Sequence, residues 1–222
     1  VYNRPLHTKQ VLNSLASNDE ASSSILFVYC DGPKEMANSV DLYNIDETRR
    51  IVKSEKRFKQ VIVIERAKNF GLADSIIEGV TEVINKYGSV IVLEDDLVVS
   101  RYFLFYMNDS LDRYKDCTEV GQVGACNYFA CGDNYPETFF LPTIDCLGWA
   151  TWSTRWSKFN PDAVKLLELI ITNKRLYEFN VHGSYDMLGM LKRQIIGEVN
   201  SWAVRWQAVS VLNKWVILYP NP

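Results

Sequence analysis

The chain has 222 residues, a length that suits one large domain or a domain with a subdomain. Hydrophobic residues make up 47% and charged residues 23%, so a core of useful size is available, and no run of about 18 apolar residues suggests a transmembrane helix. A net charge of −3 with no basic stripe argues against a nucleic-acid partner, and only two histidines, His7 and His182, argue against a His-rich metal site.

In chain order, residues 8–16 read as a short amphipathic helix with Val11, Leu12 and Leu15 on one face, and 18–24 as a polar loop. Residues 24–29 read as a strand that ends at Cys30-Asp31-Gly32-Pro33. Residues 36–53 are mostly helical, and 60–64 form a second strand. Residues 72–86 form a helix, with Ile76, Ile77, Val80, Val83 and Ile84 at helical spacing, and 91–93 the next strand. Strands alternating with helices predict βαβ units and a mostly parallel sheet covered on both faces. Chain polarity then puts Asp31, Arg66 and the acids 94–96 at strand C-terminal ends along one rim, where open α/β sheets bind ligands.

Past Tyr102 the pattern changes. Residues 103–114 look helical, 120–126 like a strand, and 127–141 like a loop region containing aromatics, Gly132 and Pro136. Residues 147–152 read as a strand or the start of a helix. Residues 163–178, 186–194 and 202–213 look helical, and 216–222 reads as a strand that stops abruptly. No repeat or low-complexity linker separates this half, which reads as a mixed α/β region built onto the same sheet. The aromatics, with six Trp, twelve Tyr and ten Phe, concentrate here, either to line a ligand site or to fill a core.

Five cysteines, Cys30, Cys117, Cys126, Cys131 and Cys146, include no CxxC pair, which suggests free buried thiols in a reducing compartment. No signal peptide is legible, and a chain opening at Val1 without Met reads as trimmed at its start.

The most informative stretch is Ser89-Val90-Ile91-Val92-Leu93-Glu94-Asp95-Asp96. An apolar run reads as a buried strand, and three adjacent carboxylates at its end repel one another unless a cation sits there. Mg²⁺ or Mn²⁺ sites use one or two carboxylates together with substrate phosphates. The competing reading is a strand followed by a solvated acidic turn.

Six motifs occur in an order that spans nearly the whole chain. They are Tyr2-Asn3-Arg4-Pro5-x-His7-Thr8, Cys30-Asp31-Gly32, Arg66-x-x-Asn69-x-Gly71-Leu72, Leu93-Glu94-Asp95-Asp96-Leu97, Leu147-Gly148-Trp149-Ala150-Thr151-Trp152 and Ser201-Trp202-Ala203-Val204-Arg205-Trp206. In this ordered set the chain resembles bacterial glycosyltransferases of the GT-A fold and, more distantly, is similar to animal N-acetylglucosaminyltransferase I. The resemblance implies one α/β domain over 1–222. Residues 1–100 would be its nucleotide-sugar-binding half, and residues 101–222 its acceptor-side half. It implies an inverting, Mn²⁺- or Mg²⁺-dependent hexosyl- or N-acetylhexosaminyltransferase. The donor would be a nucleoside-diphosphate sugar, read as UDP-linked, and the acceptor a hydroxyl of a glycan or lipid-linked glycan. The expected setting is cytoplasmic, with peripheral association at the inner face of the membrane.

By the same resemblance Asp96 ligates the metal, Asp95 acts through water or the donor ribose, and Glu94 orients the donor. Asp31 contacts the base, Arg4 the diphosphate or base, and Arg66 and Asn69 the donor phosphates. Each has a plainer alternative: a turn Asp before Gly32-Pro33, a surface ion pair for Arg66, an N-cap for Asn69. Gly148 would let backbone approach the acceptor sugar, and Trp149 or Trp152 would stack on it unless they fill the core. Trp202 and Arg205 complete the acceptor set.

The match departs at the base. N-acetylglucosaminyltransferase I has its base as an Asp immediately before a Trp, and the corresponding segment here is Asn200-Ser201-Trp202, in which neither Asn200 nor Ser201 supplies a carboxylate. Asp186, Glu198 and Asp145 are the nearby alternatives, with Asp186 equally suited to cap a helix. Two other readings stay open: a nucleotidyltransferase, although no Gly-rich loop stands near the N-terminus, and a non-catalytic nucleotide-sugar or carbohydrate-binding module.

Overall fold

The computed structural model describes residues 1–126 and 136–221. Cys131 and the part of the expected loop that covers 127–135 lie outside them. The chain is mixed α/β, with nine α-helices and two sheets among the described residues. It divides into two compact units, Val1–Ser75 with Leu93–Asp109, and Ile76–Val92 with Ser110–Pro222. The chain thus enters the second unit inside a helix, returns at Leu93 and leaves again inside another helix.

The first unit is built on two parallel strands, β1 (Ile25–Cys30) and β2 (Gln60–Glu65), paired in register from Ile25↔Gln60 to Cys30↔Glu65. Before β1 comes α1 (Pro5–Ala16), which has Pro at its first turn, where a missing N–H costs nothing. Between the strands runs α2 (Ser39–Ser54), whose N-cap Asn38 accepts the Asp41 amide. Leu12, Val28, Cys30 and Val52 form the buried core of this layer, with Leu26, Ile51, Val61 and Val63 packed against them. Asn18, buried just past α1, donates to the carbonyls of Ser14 and Ser100 at 3.1 Å each and accepts the Leu104 amide at 2.8 Å. That one amide side chain pins the segment that carries the acidic run to the end of α1.

Two helices straddle the units: α3 (Leu72–Tyr87), which carries the expected apolar stripe, and α4 (Phe103–Arg113). Among the described residues the second unit holds five strands: β3 (Ser89–Val92), β4 (Val120–Gly124), β5 (Thr138–Leu141), β6 (Trp149–Trp152) and β7 (Val216–Pro220). Their order is β3-β6-β4-β7-β5. The β4–β7 pair is parallel; the β3–β6, β4–β6 and β5–β7 pairs are antiparallel.

The expected single, mostly parallel sheet is corrected here. Among the described residues β3 belongs to the second sheet, where β6 pairs with it antiparallel, Val92 opposite Trp149. A strand also stands at 138–141, in a stretch expected to be loop.

Five further helices complete the unit: α5 (Ser153–Trp156), α6 (Ala163–Thr172), α7 (Leu176–Phe179), α8 (Met187–Ile195) and α9 (Trp202–Leu212). The last is buried on nearly every face, from Trp202 to Val211, as expected of a helix without a polar side. Its indoles enter an aromatic core. Trp149 stacks on Trp202 with centroids 4.9 Å apart, and Trp156 meets Trp206 at 5.0 Å and Phe159 at 4.7 Å. Among the described residues no helix is long and apolar enough to cross a membrane.

Candidate functional site

The acidic run follows β3 and belongs to the first unit. The N-terminal segment reaches both it and the end of β1. The Val1 nitrogen donates to the Tyr29 carbonyl at 2.9 Å, and the Val1 carbonyl accepts the Asp31 amide at 2.9 Å. One residue on, the Tyr2 amide donates to Asp95 Oδ2 at 3.2 Å. Arg4 then spreads its fork across two carboxylates, Nη2 to Asp95 Oδ1 at 2.5 Å and Nη1 to Asp96 Oδ2 at 2.9 Å. Residues 1–4 thereby bring Asp31 and the acidic run into one neighbourhood that the strand pairing alone does not create.

The three acids occupy different environments. The Asp95 side chain is buried and fully engaged, whereas that of Asp96 is 39% exposed. Glu94 is half-buried, and its carboxyl is held above the ordinary glutamate range, first by burial and then by the charges of Asp96 and Asp95. Arg4 and the Val1 ammonium face three carboxylates, which leaves net negative charge where a divalent cation could sit at the exposed Asp96. Among the described residues no three His, Cys, Asp or Glu side chains converge as a closed metal cage. Water and phosphate oxygens would have to complete the coordination, as is usual for Mg²⁺.

Asp31 lies at the end of β1, nearly buried. Its Oδ1 accepts the amides of Gly32 and Phe70 at 2.9 Å each, and its Oδ2 the amide of Gly71 at 3.0 Å. A carboxylate offers about four acceptor directions, so three are already taken by backbone. Asn69 reinforces the same clasp, donating from Nδ2 to the Gly32 carbonyl at 3.0 Å. A Cβ on Gly32 would sit 2.6 Å from the Lys68 backbone, so the two loops approach as only glycine permits.

Arg66 sits at the end of β2 with its guanidinium carbon 4.0 Å from the centre of the Phe70 ring and 5.8 Å from that of Tyr29. It packs between rings at a buried position and does not present its fork to solvent. Sequence reasoning missed Arg49, which donates from Nη2 to the Arg66 carbonyl at 2.7 Å and the Asp31 carbonyl at 3.3 Å, tying the two strand ends. It missed the Tyr2 contact as well, because a backbone amide leaves no trace in side-chain patterns.

The second unit holds the residues expected on the acceptor side. Trp149 is 1% and Trp202 3% exposed, so neither shows an indole face for a sugar to stack on. Trp152 is buried too, and donates from Nε1 to the Leu111 carbonyl at 2.9 Å. Gly148, at φ +85°, serves the turn into β6, where its carbonyl accepts the Ala125 amide at 2.9 Å. Arg205 is buried, donating to the Ser201 carbonyl at 3.0 Å and to Asn200 Oδ1 at 2.8 Å.

The three acids considered for the base are separately employed. Asp145 is buried and accepts the amides of Ala125 and Cys126 on Oδ2 and of Leu147 on Oδ1, all at 3.0 Å. Burial nevertheless pushes its carboxyl above the ordinary range, against the pull of those amides. Asp186 caps α8, with Oδ1 accepting the Gly189 amide at 2.8 Å, and stays exposed. Glu198 is an exposed partner of Arg193 at 3.1 Å. Of the four described cysteines, all free, only Cys30 is buried. Neither the protein-family models nor the curated proteins include a match to this chain.

Proposed function

We propose that the chain is a metal-dependent, inverting glycosyltransferase of the GT-A class. It would use a nucleoside-diphosphate sugar, read as UDP-linked, and a hydroxyl of a glycan or lipid-linked glycan as acceptor. The observation that carries this reading is the unequal state of two neighbouring carboxylates: Asp95 buried under Tyr2 and Arg4, Asp96 reaching solvent beside it. A held carboxylate next to an open one is the arrangement needed to seat one cation in a fixed place.

In this reading Asp96 ligates Mn²⁺ or Mg²⁺, Asp95 and Glu94 orient the donor, and Arg4 turns toward the diphosphate. When bound, the cation neutralises the charge of the departing nucleoside diphosphate. Asp31, Asn69 and Arg66 shape the loop wall of the donor site through the clasp between the two strand ends. The acceptor hydroxyl proton is assigned to Asp186, with Glu198 and Asp145 as alternatives, although Oδ1 of Asp186 accepts the Gly189 amide as the cap of α8.

A thermal-shift screen of UDP, GDP and dTDP sugars, with and without Mn²⁺, tests the reading. Stabilisation by one base type, dependent on metal, is expected. No response to any of them sinks it.

One observation favours the binding-module alternative. Where the resembling enzymes carry the base, Asn200 accepts from Arg205 and Ser201 caps α9 by accepting the Val204 amide. Release of nucleoside diphosphate with an acceptor present separates the two readings: a module binds donor and never turns over.

A further inference from the structure

Helix α6 starts at Asp162, whose Oδ1 accepts the Lys165 amide at 3.0 Å. It packs on α8 and α9 and buries Leu166 and Ile170. At about 100° per residue, the opposite side of the helix is centred on Glu168, with Val164 and Ile171 to one side of it and Lys165 and Leu169 to the other. The outer side of a surface helix is ordinarily polar. Here Val164 is 51%, Leu169 36% and Ile171 59% exposed, and Lys165 and Glu168 are the helix's two charged residues.

Those two charges stay open. Opposite charges three residues apart are neighbours on a helix and can pair. They do so at Glu47–Arg50, Asp112–Lys115 and Arg175–Glu178, the last with the base first, as in α6. Lys165 and Glu168 have the same spacing, yet among the described residues neither side chain makes an ion pair.

We propose that this face pairs with a second copy of itself, two α6 helices lying antiparallel about a two-fold axis. With the axis midway between Lys165 and Glu168, helical geometry opposes Lys165 to the partner's Glu168 and Val164 to the partner's Leu169, each twice. The face is thus complementary to itself, cation against anion and aliphatic against aliphatic. An anionic bilayer would meet Glu168 at the centre of the face, which argues for a second copy over a membrane. A helix of ten residues is about 15 Å long and covers less than the roughly 1,000 Å² of a stable interface. Larger interfaces span micromolar to picomolar, so this dimer is weak, with a Kd on the order of 10–100 µM. The pairing is independent of the transfer reading.

Sedimentation velocity of the purified chain from about 10 to 500 µM tests it. Lys165→Glu and Glu168→Lys should each raise the Kd at least about tenfold, because like charges then oppose one another across the axis. Their melting temperatures in dilute solution should match wild type, since both side chains are exposed. An equimolar mixture of the two variants should associate again, and so should the double swap, both within about threefold of wild type, because every charge then faces its opposite. A wild-type chain that stays monomeric throughout, dimers that the reversals leave intact, or reversals that neither the mixture nor the swap rescues overturn the pairing. A monomeric chain that instead sediments with phosphatidylglycerol vesicles, and loses them on Ile171→Ser, also overturns it and gives the face to a membrane.

Discussion

Arg4 Nη1 and Asp96 Oδ2 stand 2.9 Å apart across 92 residues of sequence. The same guanidinium holds buried Asp95, so one half-exposed cation serves an enclosed carboxylate and an open one. The two contacts differ in worth. The contact with Asp96 is screened by water and contributes about 0–1 kcal/mol. The contact with Asp95 matters more, because its removal leaves a buried charge with only the Tyr2 amide as partner.

Arg4→Gln is therefore expected to destabilise the chain by about 1–2 kcal/mol, between the values for exposed and buried pairs. Urea denaturation measures it. The same variant should bind Mn²⁺ more tightly, since no guanidinium competes for Asp96. Titration calorimetry that showed weaker Mn²⁺ binding would mean that Arg4 and the cation do not share Asp96.

Asp96→Ala separates fold from function. Its side chain is 39% exposed and pairs with half-exposed Arg4, so the stability change should stay within about 0.5 kcal/mol. Metal-dependent stabilisation by a nucleotide sugar should vanish. A variant that kept the full Mn²⁺ response would move the metal site elsewhere.

Helical elements were legible where periodicity was strong. The α3 stripe places Val80 and Ile84 in the core as its spacing predicts. The strands β1, β2, β3, β4 and β7 were legible as well, but the sheet each one joins was not, because pairing is decided between residues far apart. Nothing near Val92 announces Trp149, and β5 exists through pairing such as Phe139↔Tyr219, in a stretch that local turn signals mark as loop. The same limit applies to the candidate site. Asp31 before Gly32 reads as a turn or a ligand contact, and only the fold brings the amides of Phe70 and Gly71 to it. Trp149 reads equally as a sugar-stacking or a core residue, and its 4.9 Å contact with Trp202 puts it in the core.

That clasp predicts a large effect for Asp31→Ala. Three amides lose their acceptor, two of them in the loop after β2. At about 1 kcal/mol for each bond, plus the cost of amides left partly dry, the loss should reach roughly 2–4 kcal/mol. Hydrogen exchange at Phe70 and Gly71 should accelerate with it. If their protection survived, the clasp would owe its order to Asn69 and Arg49 and not to Asp31.

Asp145 predicts a dependence on pH. Burial raises its carboxyl above the ordinary value of 3.8, so in acid the unfolded chain gives up this proton before the folded chain does. The resulting stability is fully present below 3.8 and is lost as pH rises through the raised folded value. Asp145→Asn removes that titration, and turns an NH₂ group toward amides that now find carboxylate oxygens. The variant should be less stable than wild type throughout, with the largest gap at acidic pH and a narrowing gap toward neutrality. Melting temperatures of both proteins from about pH 3 to 7 would show it. A gap that widened toward neutral pH would mean that the three amides outweigh burial and hold the carboxylate ionised.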